Sequence, residues 1–495
     1  MKILLGPILG YEQNELYTVC FLSDPSSAAP TLTIAGQQVP FTQITQTPNG
    51  IFWRSEATVA ATKNGKPCEY KIENDGTPLQ DTFGRSAWSF HVPGKLEEPK
   101  IAYASCNGFS STKLARDTAN PYVLWQTMNA EHSQKPYSLM LMGGDQIYAD
   151  GLWESSFAPT INQWSHWPRE KQQKYPVGPK VQKELDKFYE QAYIKGWGCS
   201  SDMALMLASI PSVMMWDDHD IFDGWGSYAP IAKGGLQDCP IYQEIFKYAK
   251  KYFELFQVRS LKNNTLFDNA GVHYAFGLQF RAYSILGIDN RVERTQTQLM
   301  SEGQWAAVKD WLSKLPQKVE NLLVMAGLPL VYRDFSEIDA LLQATPWQVE
   351  LQDDAHDHWT AKAHQGERMR LIQILLDFNK QKKCKTVILS GDVHVGALGL
   401  IKDEVNQLQI TQVVSSAIVH PAPTFFEWIG IGATTSDDKQ RLGNGDITAE
   451  VIPPIGSDKY IRMRNYSSLE IGTDKKIWVN WICEGNVKPH FPIAQ

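Results

Sequence analysis

No stretch of the chain reaches the roughly 18 consecutive apolar residues that a membrane-spanning helix requires. The N-terminus, MKILLGPILGYEQNELYTVC, lacks the unbroken apolar core and small-residue cleavage site of a secretory signal. The expectation is a soluble, cytoplasmic protein without a membrane span. Basic residues are not in excess either: 47 Lys and Arg stand against 54 Asp and Glu, a net charge of -7, so no global field draws the chain onto nucleic acid. The seven cysteines are odd in number and form no CxxC pair. That fits neither a disulfide framework nor a zinc finger and points to a reducing compartment. Walker, GxGxxG, HExxH and GxSxG motifs are all missing, which removes support for nucleotide-dependent kinase, dinucleotide oxidoreductase, zincin protease and serine hydrolase chemistry.

What is present is an ordinary globular composition, 43% hydrophobic and 20% charged, in 495 residues, more than one hydrophobic core usually holds. Up to about residue 95, short apolar alternations (TVCFLSD, TLTIAG, IFWRSEATVA, CEYKIEND) are separated by turn clusters such as TPNG and NDGTP. This predicts a small antiparallel, Ig-like β-sandwich over 1–95, followed by a linker, HVPGKLEEPK. From 96 to 495, apolar runs alternate with helical patterns near 181–194, 240–256, 302–315 and 364–380, the texture of an α/β sheet buried on both faces. The chain closes with two strands joined by a Gly-Thr-Asp turn, and 150–180 reads as a long aperiodic loop.

Four of the apolar runs end in residues able to bind metal. They are Cys106 after KIAYAS, Asp145 and Tyr148 in GGDQIYAD, Asp217 to Asp220 in WDDHD, and Asp392 with His394 in SGDVH. Ligands of open α/β sheets bind beyond the carboxyl ends of the strands, so these four loops are expected to converge. Singly, each has a plain structural reading as turn, cap or small buried residue. Acids packed as densely as in WDDHDIFDGWG repel one another unless cations hold them. Carboxylates favour Mg, Ca, Mn or ferric iron, and a tyrosine oxygen suits Fe(III).

In order, GGDQIYAD, WDDHDIFDGWGS and SGDVH resemble the metallophosphoesterase superfamily, specifically its PhoD-like alkaline phosphatase/phosphodiesterase branch. SCN at 105–107, IDNRVER at 288–294 and DHWTAKAHQGERMRLI at 357–372 extend the likeness. Where commoner members of the superfamily carry Asp-x-His and Gly-His-x-His, this chain has Cys106-Asn107-Gly108 and Gly391-Asp392-Val393-His394, as that branch does. The resemblance implies an α/β/β/α sandwich in which Cys106, Asp145, Tyr148, Asp392 and His394 surround an Fe(III)-like ion. Asp145 would bridge to a second site, Ca(II), completed by Asp218, with Mn, Mg and Zn as alternative metals. Spacing leaves open whether Asp150, Asp217 or Asp223 adds a ligand.

The expected reaction is hydrolysis of a small-molecule or lipid phosphate ester, mono- or diester, by a metal-bound hydroxide. His219 would protonate the leaving oxygen, with Asp220 or another carboxylate orienting it. A ligand or purely structural role is the alternative for His219. Arg291 is expected either as a phosphate fork or in an ion pair with Asp289 or Glu293. His356, His358 and His364, among the acids at 353–357, are expected to be solvated or capping. Trp153, Trp164, Trp167, Trp216 and Trp225 flank these motifs, either as core or as the wall of a pocket for an organic leaving group. Two other classes remain: a binding protein with a structural metal, and a metal-dependent hydrolase of another ester.

Overall fold

The computed structural model describes residues 1–494 apart from 27, 261, 335–356, 425–427, 430 and 433–434. Its centre is a pair of sheets. The first runs His490–Ile493, Ile477–Cys483, Asn465–Ile471, Ile101–Ala104, Leu139–Gly143, Ser212–Met215, Ile3–Glu12, Leu16–Ser23, Ile51–Thr58 and Thr42–Gln46. Within it Ile101–Ala104, Leu139–Gly143 and Ser212–Met215 are mutually parallel, with antiparallel strands on both flanks. The second sheet carries a parallel set of its own, Tyr283–Gly287, Asn321–Gly327, Lys385–Ser390 and Leu408–Val414.

Every residue of these parallel strands except Lys385, Leu408 and Gln409 is buried. The two-residue period of a strand sorts them into layers. Ile101, Tyr103, Leu139, Leu141, Val213 and Met215 of the first sheet share one apolar cluster with Leu323, Met325, Val387, Leu389 and Val413 of the second. The alternate residues Ala102, Ala104, Met140, Met142 and Met214 pack outward against helices Val123–Gln134, Pro179–Trp197, Ser201–Ser209 and Pro240–Phe253. On the far side Leu286, Leu322, Val324, Ile388 and Val414 pack against Glu302–Lys314 and Gln365–Lys382. Helix, sheet, sheet, helix is the layer order, as the resemblance implies; the alternation of apolar runs and helical patterns predicts the buried parallel strands within it.

Residues 3–92 contain only strands and turns. Their meander is continuous with the first sheet, because Ile3–Glu12 pairs in parallel with Ser212–Met215 through Gly10 and Ser212. A second layer, built on Thr31–Ile34, Lys66–Asn74 and Trp88–Val92, closes over that extension. Its Leu32, Tyr70, Ile72 and Phe90 lie in the same cluster as the central strands, and Tyr70 donates to the Ala208 carbonyl at 2.7 Å. Residues 150–180 are not an aperiodic loop. They hold three short helices, Ala149–Glu154, Pro159–Ser165 and Arg169–Lys174, too brief to show a helical period in sequence. Among the described residues no helix is long and apolar enough to cross a membrane.

Candidate functional site

The parallel strands of both sheets point their carboxyl ends the same way, and the chemistry gathers there. Cys106 follows Ile101–Ala104; Asp145 and Tyr148 follow Leu139–Gly143; Asp217 to Asp220 follow Ser212–Met215. From the second sheet, Asp289 to Arg291 follow Tyr283–Gly287, and Asp392 and His394 follow Lys385–Ser390. All six expected metal ligands are brought together. Cys106 Sγ lies 3.4 Å from Asp145 Oδ2, and Tyr148 Oη lies 3.1 Å from His394 Nε2. Ligand atoms of Asp145, Asp218 and His219 fall within 4.8 Å of one another, as do those of Asp217, Asp218 and Asp392.

The backbone is bent to achieve this. Cys106, Asp145, Asp392 and His394 all adopt left-handed conformations, with φ of 55°, 56°, 69° and 53°. Such positions are costly for residues with a Cβ and persist where surrounding structure enforces them, characteristically at functional sites. Small residues make the room. Gly144 has φ 110°, and a Cβ there would press on Asp217 at 2.7 Å. A Cβ on Gly108 would overlap the Tyr148 ring.

Electrostatics identify what the cluster lacks. Burial holds the Asp145 and Asp392 carboxyls well above the usual carboxylate range, reinforced by their acidic neighbours. It likewise pushes the Cys106 thiol and Tyr148 phenol well up and the His394 imidazolium well down. A cation reverses the carboxyl, thiol and phenol shifts and reinforces that of His394, since it favours thiolate, phenolate, carboxylate and neutral imidazole alike. Asp145 Oδ1 and Asp217 Oδ2 are buried with no hydrogen-bond partner among the described residues, which is the second mark of a site shaped for ions. The donor set fits a metal centre.

His219 sits beside this cluster. Its Nδ1 is 2.7 Å from Asp150 Oδ2, and its ring stacks on Tyr148 at 4.2 Å. Asp150 also accepts from the Asp223 backbone N–H at 2.8 Å, which ties the two loops together. Burial alone would lower the His219 pKa; Asp150, Asp218 and Asp145 outweigh it and hold the pKa well above its ordinary value.

Three expectations are corrected. Asp220 does not orient His219: its carboxylate accepts from the backbone of Gln146, Ile147 and Asp217 and from Gln257 Nε2, so it braces the loops, and burial raises its pKa to about 7. Arg291 is not a free fork for phosphate, nor paired with Glu293. It is fully buried, and all five of its N–H groups are committed: to Asp217, to Asp218 at 3.2 Å, to Asp357 at 2.7 and 2.8 Å, and to the Trp225 carbonyl at 3.2 Å. His358 and His364 are buried rather than solvated, and His358 Nδ1 approaches Asp392 at 4.0 Å, while burial lowers its pKa to about 4. His356 lies outside the described residues.

His420 is a site residue that the motif scan does not single out. It stacks on His394 at 3.6 Å and on Tyr148 at 5.4 Å, so Tyr148 lies between two imidazoles. Ser416 Oγ, from the same loop, contacts Cys106 Sγ at 3.0 Å. The signal was the strand QITQVV, whose carboxyl end delivers both residues as the other strand ends deliver theirs.

Residues 77–346 and 340–427 match the sequence profile described as PhoD related phosphatase, well over half of the chain. The chain belongs to this family. It is also 24% identical over 420 residues to an uncharacterized protein of Saccharomyces cerevisiae, a match covering 72% of this chain and 57% of that one. The chain thus spans little more than half the length of that relative. Among solved structures, PhoD aligns with a TM-score of 0.58 at 13% identity, over 99% of this chain and 89% of PhoD. The purple acid phosphatase PPD1 from seeds of yellow lupin (Lupinus luteus) aligns with a TM-score of 0.54 at 11% identity, over 99% and 74%. Identities this low speak to the shared fold.

Proposed function

We propose that the protein hydrolyses small phosphate esters at a two-cation site, with His219 as the proton donor to the leaving oxygen. The observation that carries this reading is the meeting of six candidate ligands from strand ends of two different sheets, four of them held in left-handed backbone. Cys106, Asp145, Tyr148, Asp392 and His394 form a mixed thiol, phenol, carboxylate and imidazole set that suits an Fe(III)-like ion. Asp145 and Asp218 form a carboxylate pair suited to Ca(II), with Mn, Mg or Zn as the substitutes that elemental analysis would distinguish. When bound, the cations supply the positive charge that activates water and polarises the phosphoryl group.

The remaining work falls to the chain itself. Asp150, an acceptor only when ionised, fixes the proton on His219 Nδ1 and leaves Nε2 as the nitrogen available to a leaving group. With its pKa held above the ordinary value the imidazole stays protonated near neutral pH, so Nε2 carries the proton that a leaving oxygen would take. Asp220 and Arg291 act at one remove, keeping the loops of Asp145 and Asp218 in place. The β-rich segment 1–95 braces the sheet that carries three of the site's loops.

The test is His219→Asn assayed on p-nitrophenyl phosphate and its bis ester, with and without Ca(II), alongside metal analysis. Loss of a proton donor lowers kcat about 10²- to 10⁴-fold with metal content unchanged. Loss of metal in step with activity would make His219 a ligand and remove it from the proton-transfer role.

A further inference from the structure

Behind the segment that carries His219 lies a second concavity, of about 530 Å³, within the size range of small-molecule sites. Trp153, Trp164, Trp167, Tyr228 and Tyr242 wall it, and Arg169 stands at its exposed edge. No acidic residue lines it. Trp153 and Trp164 are 25° from parallel at 6.4 Å, and Tyr242 closes on Trp164 at 5.8 Å, so Trp164 is buried behind the hollow while Trp153, Trp167 and Tyr228 keep part of their rings open. Lys171 Nζ lies over the Trp167 ring at 3.7 Å and adds a second cation beside Arg169. Trp216 and Trp225, by contrast, pack on Phe253 and Phe246 at 4.2 and 4.8 Å and belong to the core.

The cavity is joined to the candidate site through one short stretch of chain. Trp153 is in the same 3₁₀ turn as Asp150, the partner of His219, and packs on Phe222 at 5.3 Å. The Tyr228 hydroxyl donates to the carbonyl of Asp223, whose carboxylate is 4.0 Å from His219 Nε2. A ring-lined hollow with a cationic rim recognises a planar aromatic group that carries negative charge nearby, because every such ring has a π-face and the rim offers a guanidinium.

We propose that this hollow binds a planar aromatic ring system of aryl or nucleobase type. The inference rests on the phosphoesterase reading only where the ring is taken to be part of the substrate; ring binding itself does not need turnover.

The experiment reads binding and catalysis separately on the full chain. Adenosine, a ring without phosphate, is titrated against wild type, Trp167→Ala and Trp167→Phe by calorimetry, with thermal unfolding as a check on folding. Removing a stacking partner is expected to weaken adenosine binding about tenfold in Trp167→Ala, with Trp167→Phe recovering most of it. Steady-state hydrolysis of AMP and of glycerol phosphate then assigns the source of the ring. A KM increase for AMP alone places the leaving group in the hollow. Weakened adenosine binding with both KM values unchanged identifies a separate aromatic ligand. No measurable adenosine binding to wild type, or equal binding to Trp167→Ala and wild type, overturns the proposal. Failure of hydrolysis on both substrates with ring binding intact would instead count against the phosphoesterase reading.

Discussion

Arg291→Met removes the guanidinium that the chain places between Asp217, Asp218 and Asp357. The guanidinium touches three carboxylates and a carbonyl, using each N–H once, inside a region with no solvent access to it. Met fills similar volume but leaves Asp217 and Asp218 facing each other without that charge. Asp357 keeps a partner, since Arg294 reaches it at 2.9 Å. Breaking a buried ion pair by deleting one member typically costs 3–5 kcal/mol, so a loss of about 4 kcal/mol is expected for metal-free protein. Equilibrium urea unfolding at pH 7 in the presence of a chelator measures it. Because Arg291 also orients Asp218, affinity for the cation held there should fall about 10- to 100-fold, read by Ca(II) titration of the folded variant. Arg291→Lys keeps the charge but not the planar fork and should recover only part of either quantity. An Arg291→Met protein within about 1 kcal/mol of wild type would refute the argument, for then water or a rearranged loop, and not the guanidinium, neutralises those acids.

Two further outcomes follow from the same geometry. Gly108→Ala pushes a methyl group into the Tyr148 ring, and a displaced phenol should cost roughly 10²-fold in activity; a fully active variant would show that Tyr148 has no fixed place in the site. In metal-stripped protein, Asp145, Asp392 and Asp220 hold protons more tightly folded than unfolded. The folded state therefore binds more of these carboxyl protons up to about 7. Below about 6.5 the buried imidazoles of His358, His394 and His420, with lowered pKa values, act in the opposite sense, because there the unfolded state takes up their protons; the fall in stability with rising pH is therefore expected above about 6.5. Thermal unfolding from about pH 6.5 to about 8 should show that decline in chelator and lose it when divalent metal is restored; a stability that rises with pH over that range in chelator contradicts the sign.

The strand-end ligands were legible because each follows an uninterrupted apolar run, the one signal that a doubly covered parallel strand leaves in sequence. The buried parallel strands were legible for the same reason, whereas their stacking into two sheets was implied by the family resemblance. Other features were not local enough to read. Gly10 and Ser212 pair across most of the first half of the chain, and nothing near either residue announces that the N-terminal meander extends the central sheet. Asp357 and His358 come just before the helix Gln365–Lys382, and their place beside Arg291 and Asp392 depends on how that segment packs over the strand ends of the second sheet. The carboxylate beside His219 is Asp150 and not Asp220 for a geometric reason. Asp220 sits in a tight turn where backbone N–H groups claim its carboxylate, whereas Asp150 opens a 3₁₀ turn whose first residues face the His219 ring.

That dependence on packing has a consequence for how the site is held. Cys106, Asp145, Tyr148 and the 217–220 turn come from one sheet, and Asp392, His394, Arg291 and His420 from the other. Tyr148 to His394, Arg291 to Asp217 and Cys106 to Ser416 are therefore contacts that cross between sheets. The apolar cluster beneath them is what sets the distance between the two halves. A close-packed interior does not stretch gradually, so it fixes ligand spacing more firmly than flexible loops can. Left-handed strain at four ligands is then borne by the sandwich as a whole, and cations entering from solvent meet donors already held at their positions.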